Sequence, residues 1–232
     1  MSGTKTASGW TVLGEDPPIL VRTYAIGPGN STNCMAVGIG EGRLAVVSAP
    51  TDPPDEALAE LEGFGTVAAV VATSGFHRSG LPHWKERMPD VPVYAPTRAL
   101  DKVRAVSPKA RDLEELEVTG PAQLLALQGA RFGDTWVVAP GRDGLIWYVA
   151  DTITNMKRLP GPPLGWFMRL VGIQAGFALN RAQLRLFTVD KPGRSAWLRQ
   201  RLADGAPTMV VPAHGAHADM PDLGARLDRM FA

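Results

Sequence analysis

One cysteine, four histidines and three tyrosines are all that the 232 residues offer of these types, and each scarcity excludes something. The single thiol, Cys34, rules out an intramolecular disulfide and any thiolate metal cluster. No basic tract occurs, and 24 basic residues against 23 acidic ones leave a formal charge of +1. The electrostatic footprint that nucleic acid requires is missing, so no nucleic-acid partner is expected. The most apolar stretch, Leu164 to Leu179, contains Arg169 and Gln174 and is too short to span a bilayer. The opening MSGTKTASGW has no apolar signal segment. The expectation is a cytoplasmic chain without a membrane partner. Nor does any GxGxxG or GxxxxGK[ST] stretch follow a strand-like segment, which argues against a phosphate-cradling loop.

What is present suits one core. At 45% hydrophobic and 20% charged residues, a chain of this length buries enough apolar surface to be stable without disulfides, and a single domain over residues 1–232 is expected. Ile19 to Ile26, Thr32 to Gly38 and Arg43 to Ser48 are rich in β-branched and apolar residues and read as strands, with Gly-Pro-Gly-Asn and Gly-Glu-Gly as turns between them. A helix is expected after Thr51-Asp-Pro-Pro, capped by Thr51 or Asp52, with Ala57, Leu58 and Leu61 on its apolar face. Thr66 to Ala72 is a continuous apolar run that suits a strand buried on both faces. A short helix over Ser79 to Met88, a strand at Val91 to Ala95 and a helical Pro96 to Val103 follow, and charged Pro108 to Glu117 reads as surface loop or an irregular turn.

A second β-rich block repeats the pattern. Gln123 to Leu127, Thr135 to Ala139 and Leu145 to Val149 are strands, and Leu164 to Leu179 reads as an apolar helix. A helix at Ser195 to Leu202, a strand at Thr208 to Val211 and a helix over Asp222 to Met230 complete the chain. Two β-rich blocks, each followed by helices, fit two sheets packed face to face with helices outside. Three consecutive strands at the head of each block argue against a doubly wound nucleotide-binding sheet.

Three of the four histidines follow strands: His77 in ATSGFHRSG, and His214 and His217 in VVPAHGAHAD; Asp151 ends the strand LIWYVAD. Loops at carboxyl ends of strands are where α/β folds place functional groups. Two imidazoles and a carboxylate are a workable metal set with positions left over for water or substrate. The plainer reading makes each a hydrogen-bonded boundary residue.

The order strand–ATSGFHRSG, strand–VADT, strand–VPAHG resembles the metallo-β-lactamase superfamily over about Thr32 to Ala218. The resemblance implies an α/β four-layer αββα sandwich. It also implies a metal-dependent hydrolase whose ligands come from a His-x-His-x-Asp-His motif, a later histidine, a bridging aspartate and a final histidine. Aligned with His77 at the last motif position, the earlier ligand positions hold Ala72, Ser74 and Phe76, and the middle-histidine turn LQGARFGD holds Ala130. What survives is His77, Asp151 and His214, which the resemblance assigns to one of two metal sites. A dinuclear centre is therefore not expected. The surviving set suits one Zn, Fe or Mn ion, with Asp151 and His77 as catalytic candidates, or no metal at all. The wording from SAPTDPP to PHW also resembles a subgroup in which the metal motif is reduced to an isolated histidine followed by a tryptophan-bearing helix.

Two functions stay open: a one-metal hydrolase acting on a small molecule, and a metal-free binding protein that keeps the fold. A metal-independent enzyme would need Ser74 or Ser79 as its nucleophile. Arg78 is a candidate anion contact, with a solvated arginine the plainer reading. Trp84 is expected in the core and His83 at the surface. His217 is a candidate spare ligand, and Cys34 is expected as a small buried hydrophobe. The GPPLGWFMRLVGIQAGF stretch is either a buried helix or a lid or subunit interface, the last of which would make a homodimer.

Overall fold

The computed structural model describes residues 3–25 and 31–232; Ile26 and the expected Gly-Pro-Gly-Asn turn lie outside the described residues. Apolar alternation builds two sheets. The first is ordered β1 (Thr4–Lys5), β2 (Thr11–Glu15), β3 (Pro18–Ala25), β4 (Ser31–Gly40), β5 (Arg43–Val47), β6 (Thr66–Val71), β7 (Val93–Ala95), β8 (Arg111–Asp112). It is antiparallel as far as β5 and parallel from β5 onward. The second contains β9 (Gln123–Ala126), β10 (Thr135–Gly141) and β11 (Gly144–Tyr148) as an antiparallel meander, with β14 (Met209–Val211) parallel to β11. A separate hairpin pairs β12 (Ile153–Met156) with β13 (Gly176–Leu179).

Three apolar cores define four layers. Ile19, Val21, Met35, Val37 and Val47 of the first sheet meet Val137, Ala139, Tyr148 and Val211 of the second. The outer face of the first sheet is covered by α1 (Asp55–Glu62), α2 (Leu81–Arg87) and α3 (Leu100–Arg104). Trp10 and Trp84 are buried there, and their indole N–H groups donate to Ala57 O (2.9 Å) and Pro50 O (3.0 Å). On the far side, α6 (Lys191–Asp204) and α7 (Leu223–Phe231) lay Leu198, Leu223, Leu227 and Phe231 over Trp136 and Trp147. The result is the expected αββα sandwich. Trp84 is buried and His83 exposed. Cys34 is fully buried, and burial pushes its thiol above the ordinary range, so it is packing rather than a nucleophile.

Local expectations fail where the tertiary context takes over. Neither Thr51 nor Asp52 caps α1, whose N-cap is Pro54 without a side-chain bond. Pro108 to Glu117 is not plain loop: it pairs as β8 and continues into a 3₁₀ turn closed by an Asp112–Glu115 capping box over buried Leu113. The apolar stretch Leu164 to Leu179 is not one helix. Helix α4 (Leu164–Val171) ends at Gly172, where φ is 97°. Gly172 N donates to Arg169 O and Ile173 N to Met168 O, a Schellman closure that turns the chain into β13. Four elements went unread: β1, β2, β12 and α5 (Arg181–Leu186), the last capped by Asn180 on Gln183 N.

Candidate active site

The carboxyl ends of β5, β6, β11 and β14 lie along one edge of the sandwich, and backbone hydrogen bonds join the two sheets there. Thr135 N on β10 donates to Thr73 O after β6, and Asn33 N on β4 donates to Ala213 O after β14, both at 2.8 Å. These two stitches bracket the point where His77, Asp151 and His214 meet.

The three side chains converge. His77 Nε2 lies 3.0 Å from Asp151 Oδ2, and His214 Nε2 lies 3.4 Å from Asp151 Oδ1. The two imidazole centroids are 5.3 Å apart, and one ligand atom from each residue falls within 4.8 Å of the others. Two imidazole nitrogens and a carboxylate oxygen gathered this closely are a donor set that suits a divalent ion. Side-chain exposures of 15%, 18% and 28% for His77, Asp151 and His214 leave the group open to a cavity of about 730 Å³, a small-molecule size. Arg22, Tyr24, Thr32, Thr51 and Ser79 line its walls.

The supports are specific. Ser48 Oγ lies 3.3 Å from His77 Nδ1, and the carbonyl of Ser31 lies 3.4 Å from His214 Nδ1. Each histidine thus keeps Nε2 toward Asp151 while Nδ1 meets a partner that fixes the ring. Ser48 (φ 59°) and Ala150 (φ 44°) are non-glycine residues in the left-handed region, one against His77 and the other just before Asp151. Such conformations cost roughly 1 kcal/mol or more each and persist where the surroundings impose them. Asn33 is buried beneath the His214 turn: its Nδ2 donates to Pro212 O (2.7 Å) and Gly215 O (2.8 Å), and its Oδ1 accepts from Thr23 Oγ1 (2.7 Å). Gly215 has φ 98° and sits so close to Asn155 O that a Cβ would overlap it. Replacing Asn33 with alanine strands two carbonyls, and is expected to cost about 2–3 kcal/mol of stability and about tenfold or more in metal affinity. Denaturant melts and a competitive zinc titration measure the two effects.

Behind Asp151 lies a polar network that the sequence did not reveal. Thr152 Oγ1 donates to buried Asp134 (3.0 Å) and accepts from Trp136 Nε1 (3.1 Å). Asp134 also accepts from Gln183 Nε2 at 2.5 Å. Arg194, fully buried, donates to Gln183 Oε1 (2.6 Å) and Thr188 Oγ1 (2.9 Å). Burial, reinforced by the Asp151 carboxylate, raises the Asp134 carboxyl above the usual range, against the opposing pull of Gln183, Arg194 and Thr152.

Burial by itself would lower His77, but the charge and hydrogen bond of Asp151 outweigh it and raise its pKa. Burial would likewise raise Asp151, but His77 and then His214 hold its carboxyl far below the usual range. The raised histidine contributes stability that is complete below about pH 6.5, the ordinary imidazole value, and lost as pH rises through the higher folded value. The depressed carboxylate contributes stability that is complete above about pH 4 and lost as pH falls through its folded value. Metal-free protein is therefore expected to melt highest between roughly pH 4 and 6.5 from this pair, and His77→Gln to flatten the profile. Thermal melts in chelator across pH 3–9 measure it.

The remaining candidates fall elsewhere. Ala72 and Ala130 are buried, and Ser74 Oγ accepts from Phe76 N. Phe76 packs on Phe132 and Phe187 at 5.0 and 5.4 Å, with Lys102 Nζ over the Phe132 ring at 3.7 Å. Where the resemblance would place a second ligand set, the chain thus carries alanines and an aromatic cluster. His77, Asp151 and His214 are the one potential metal-ligating group among the described residues. Arg78 donates to Lys102 O, tethering α3 rather than facing the cavity. His217 lines a different cavity with Asn155 and Lys157, so it is no spare ligand. Ser79 reaches the cavity wall, and no histidine bond joins it. Ser48 and the Asp134–Gln183–Arg194 chain had no motif to announce them.

No protein-family model matches the sequence, and no curated protein matches it either. Solved structures do match the fold. A metallo-β-lactamase from Pontibacter korlensis is 16% identical, with 96% of this chain and 97% of that chain covered and a TM-score of 0.61. The metallo-β-lactamase FIM-1 from Pseudomonas aeruginosa, solved in a mono-zinc form, is 13% identical, with 100% and 96% covered and a TM-score of 0.60. A flavo di-iron protein mutant from Thermotoga maritima is 14% identical over 96% of this chain and 60% of that chain, with a TM-score of 0.62. With both sheets, both helical layers and the strand-end cluster in place, the chain has the fold of the metallo-β-lactamase superfamily.

Proposed function

We propose that the protein is a one-metal hydrolase acting on a small molecule. The observation that carries this reading is the convergence of two imidazoles and one carboxylate, within 4.8 Å of one another, at the mouth of a cavity of about 730 Å³. His77, Asp151 and His214 hold the ion, which is Zn, Fe or Mn by the chemistry of the donors. When bound, a divalent ion supplies Lewis acidity for hydrolysis. FIM-1, which shares the fold, has been solved in a mono-zinc form. Asp151 has two oxygens, each facing a different histidine, so it can orient a water while keeping both imidazoles turned inward. Arg22, Tyr24 and Thr51 form the wall against which a substrate is placed. Phe76, which is 53% exposed, closes one side with an apolar surface that excludes water.

Elemental analysis of protein purified without chelator is the test, read beside hydrolysis of chromogenic esters, lactams and phosphodiesters. About one equivalent of ion, with activity lost in chelator and restored by Zn²⁺ or Mn²⁺, supports the reading. A second reading, a metal-free binding protein, is favoured by the direct 3.0 Å bond between His77 and Asp151 and by the packing of Phe76 on Phe132 and Phe187. Less than a tenth of an equivalent, without activation by added ion, would decide for it.

A further inference from the structure

Helix α4 is inside out. Its one buried residue is Gly165, placed so close to Pro160 O that a Cβ would overlap it. Its large apolar side chains point to solvent: Leu164 is 55% exposed, Trp166 68%, Phe167 61% and Leu170 81%. At 100° per residue these four fall on one continuous arc opposite Gly165. Soluble helices turn such an arc toward the core, and exposed apolar patches of this kind mark contact surfaces.

The charges around the helix say what the contact is. Between Asp151 and Asp190 the sequence has no acidic residue and five cations, Lys157, Arg158, Arg169, Arg181 and Arg185, although the whole chain is balanced at 24 against 23. All five are exposed. Arg181 and Arg185 come against Gly172 at the carboxyl end of α4, and Arg169 lies on its last turn. A second copy of the same face would set these cations against one another across a two-fold axis, which disfavours the homodimer. Trp, Phe and Leu standing proud of the surface, with Arg169, Arg181 and Arg185 at the carboxyl end of the helix, have the composition of a helix that lies in a lipid interface. A bilayer receives a protruding apolar arc without needing a matching groove.

We infer that the α4 face is a peripheral docking surface for an anionic membrane. Trp166, Phe167 and Leu170 enter the headgroup boundary, and Arg169, Arg181 and Arg185 engage lipid phosphates and carboxylates. No described helix is long and apolar enough to cross a membrane, and none needs to. The inference replaces the sequence-based expectation of no membrane partner.

Co-sedimentation with vesicles tests it, independently of any activity. The full chain is mixed with phosphatidylcholine vesicles, or with vesicles containing 30% phosphatidylserine, at about 0.1 and 0.5 M salt. Binding is expected to the anionic vesicles alone, weakening at high salt. Arg169→Gln with Arg185→Gln is expected to lower the partition coefficient about 25-fold, roughly fivefold per charge removed. Leu170→Glu is expected to abolish binding; at 81% exposure it leaves the fold unchanged, which circular dichroism verifies. Equal binding to neutral and anionic vesicles, or undiminished binding by both variants, would overturn the inference. So would retention on poly-glutamate without vesicle binding, which assigns the face to an acidic protein. A wild-type dimer that Leu170→Glu dissociates, without vesicle binding, would assign it to self-association and overturn it equally.

Discussion

Replacing His214 with alanine is expected to weaken zinc binding by more than about a hundredfold while leaving the sandwich folded. The magnitude follows from the size of the set. Losing a partner that merely orients a ligand costs 10- to 100-fold, so losing one of only three direct ligands exceeds that range. His214 is 28% exposed, and beyond Asp151 its side chain meets Ser31 O at 3.4 Å and the His77 ring at 5.3 Å, so little packing is lost with it. Asp151→Asn is the sharper probe. The amide keeps the shape of the carboxylate but removes the charge that both histidines face, at 3.0 and 3.4 Å. It is expected to abolish stoichiometric binding and to lower the raised His77 pKa toward its ordinary value. Calorimetric zinc titration with parallel melting curves separates loss of the ion from loss of the fold. Zinc affinities of His214→Ala and Asp151→Asn equal to that of the wild type would place the ion elsewhere and remove the proposed hydrolase.

The second large effect concerns a residue far from the cavity. Arg194→Ala is expected to destabilise the protein by about 3–5 kcal/mol, because it removes the buried cation that faces buried Asp134 through Gln183. In a chain of this size that corresponds to a fall of roughly 10 °C in melting temperature. The loss is a buried carboxyl group without its nearby cation and a stranded Gln183 amide oxygen, on top of the space the side chain vacates. Asp134→Asn, which neutralises the carboxylate in place, is therefore expected to recover much of the stability lost in Arg194→Ala. A double-mutant cycle by denaturant unfolding measures the coupling. The same network holds Thr152, the neighbour of Asp151, so Arg194→Ala is also expected to weaken metal binding without touching a ligand.

Much of this was legible before folding. Runs such as TVAAVVA and LIWYVAD have the continuous apolar character of doubly buried strands, and they became β6 and β11. The short loops that follow these two strands and β14 carry all three members of the cluster, because the carboxyl ends of these strands open on one edge of the sandwich. Failures cluster where a local pattern was ambiguous. Leu164 to Leu179 is apolar throughout, so neither period nor composition showed that Gly172 would reverse the chain or that the helix would face outward. Asn33 reads as a residue at a strand start, and its bonds lie about 180 residues away.

Alone, the amino-acid order determined the layer architecture and the loops after strands that carry His77, Asp151 and His214. Tertiary structure decided everything that depends on pairing across the sandwich: Ser48 and Ser31 beside the histidines, Asn33 beneath the His214 turn, Arg194 behind Asp134, and an apolar helix face left in solvent. The reason is physical. Hydrophobic periodicity is a one-dimensional signal that survives in sequence, whereas a buried polar group chooses its partner by distance in space, after the apolar layers have closed around it.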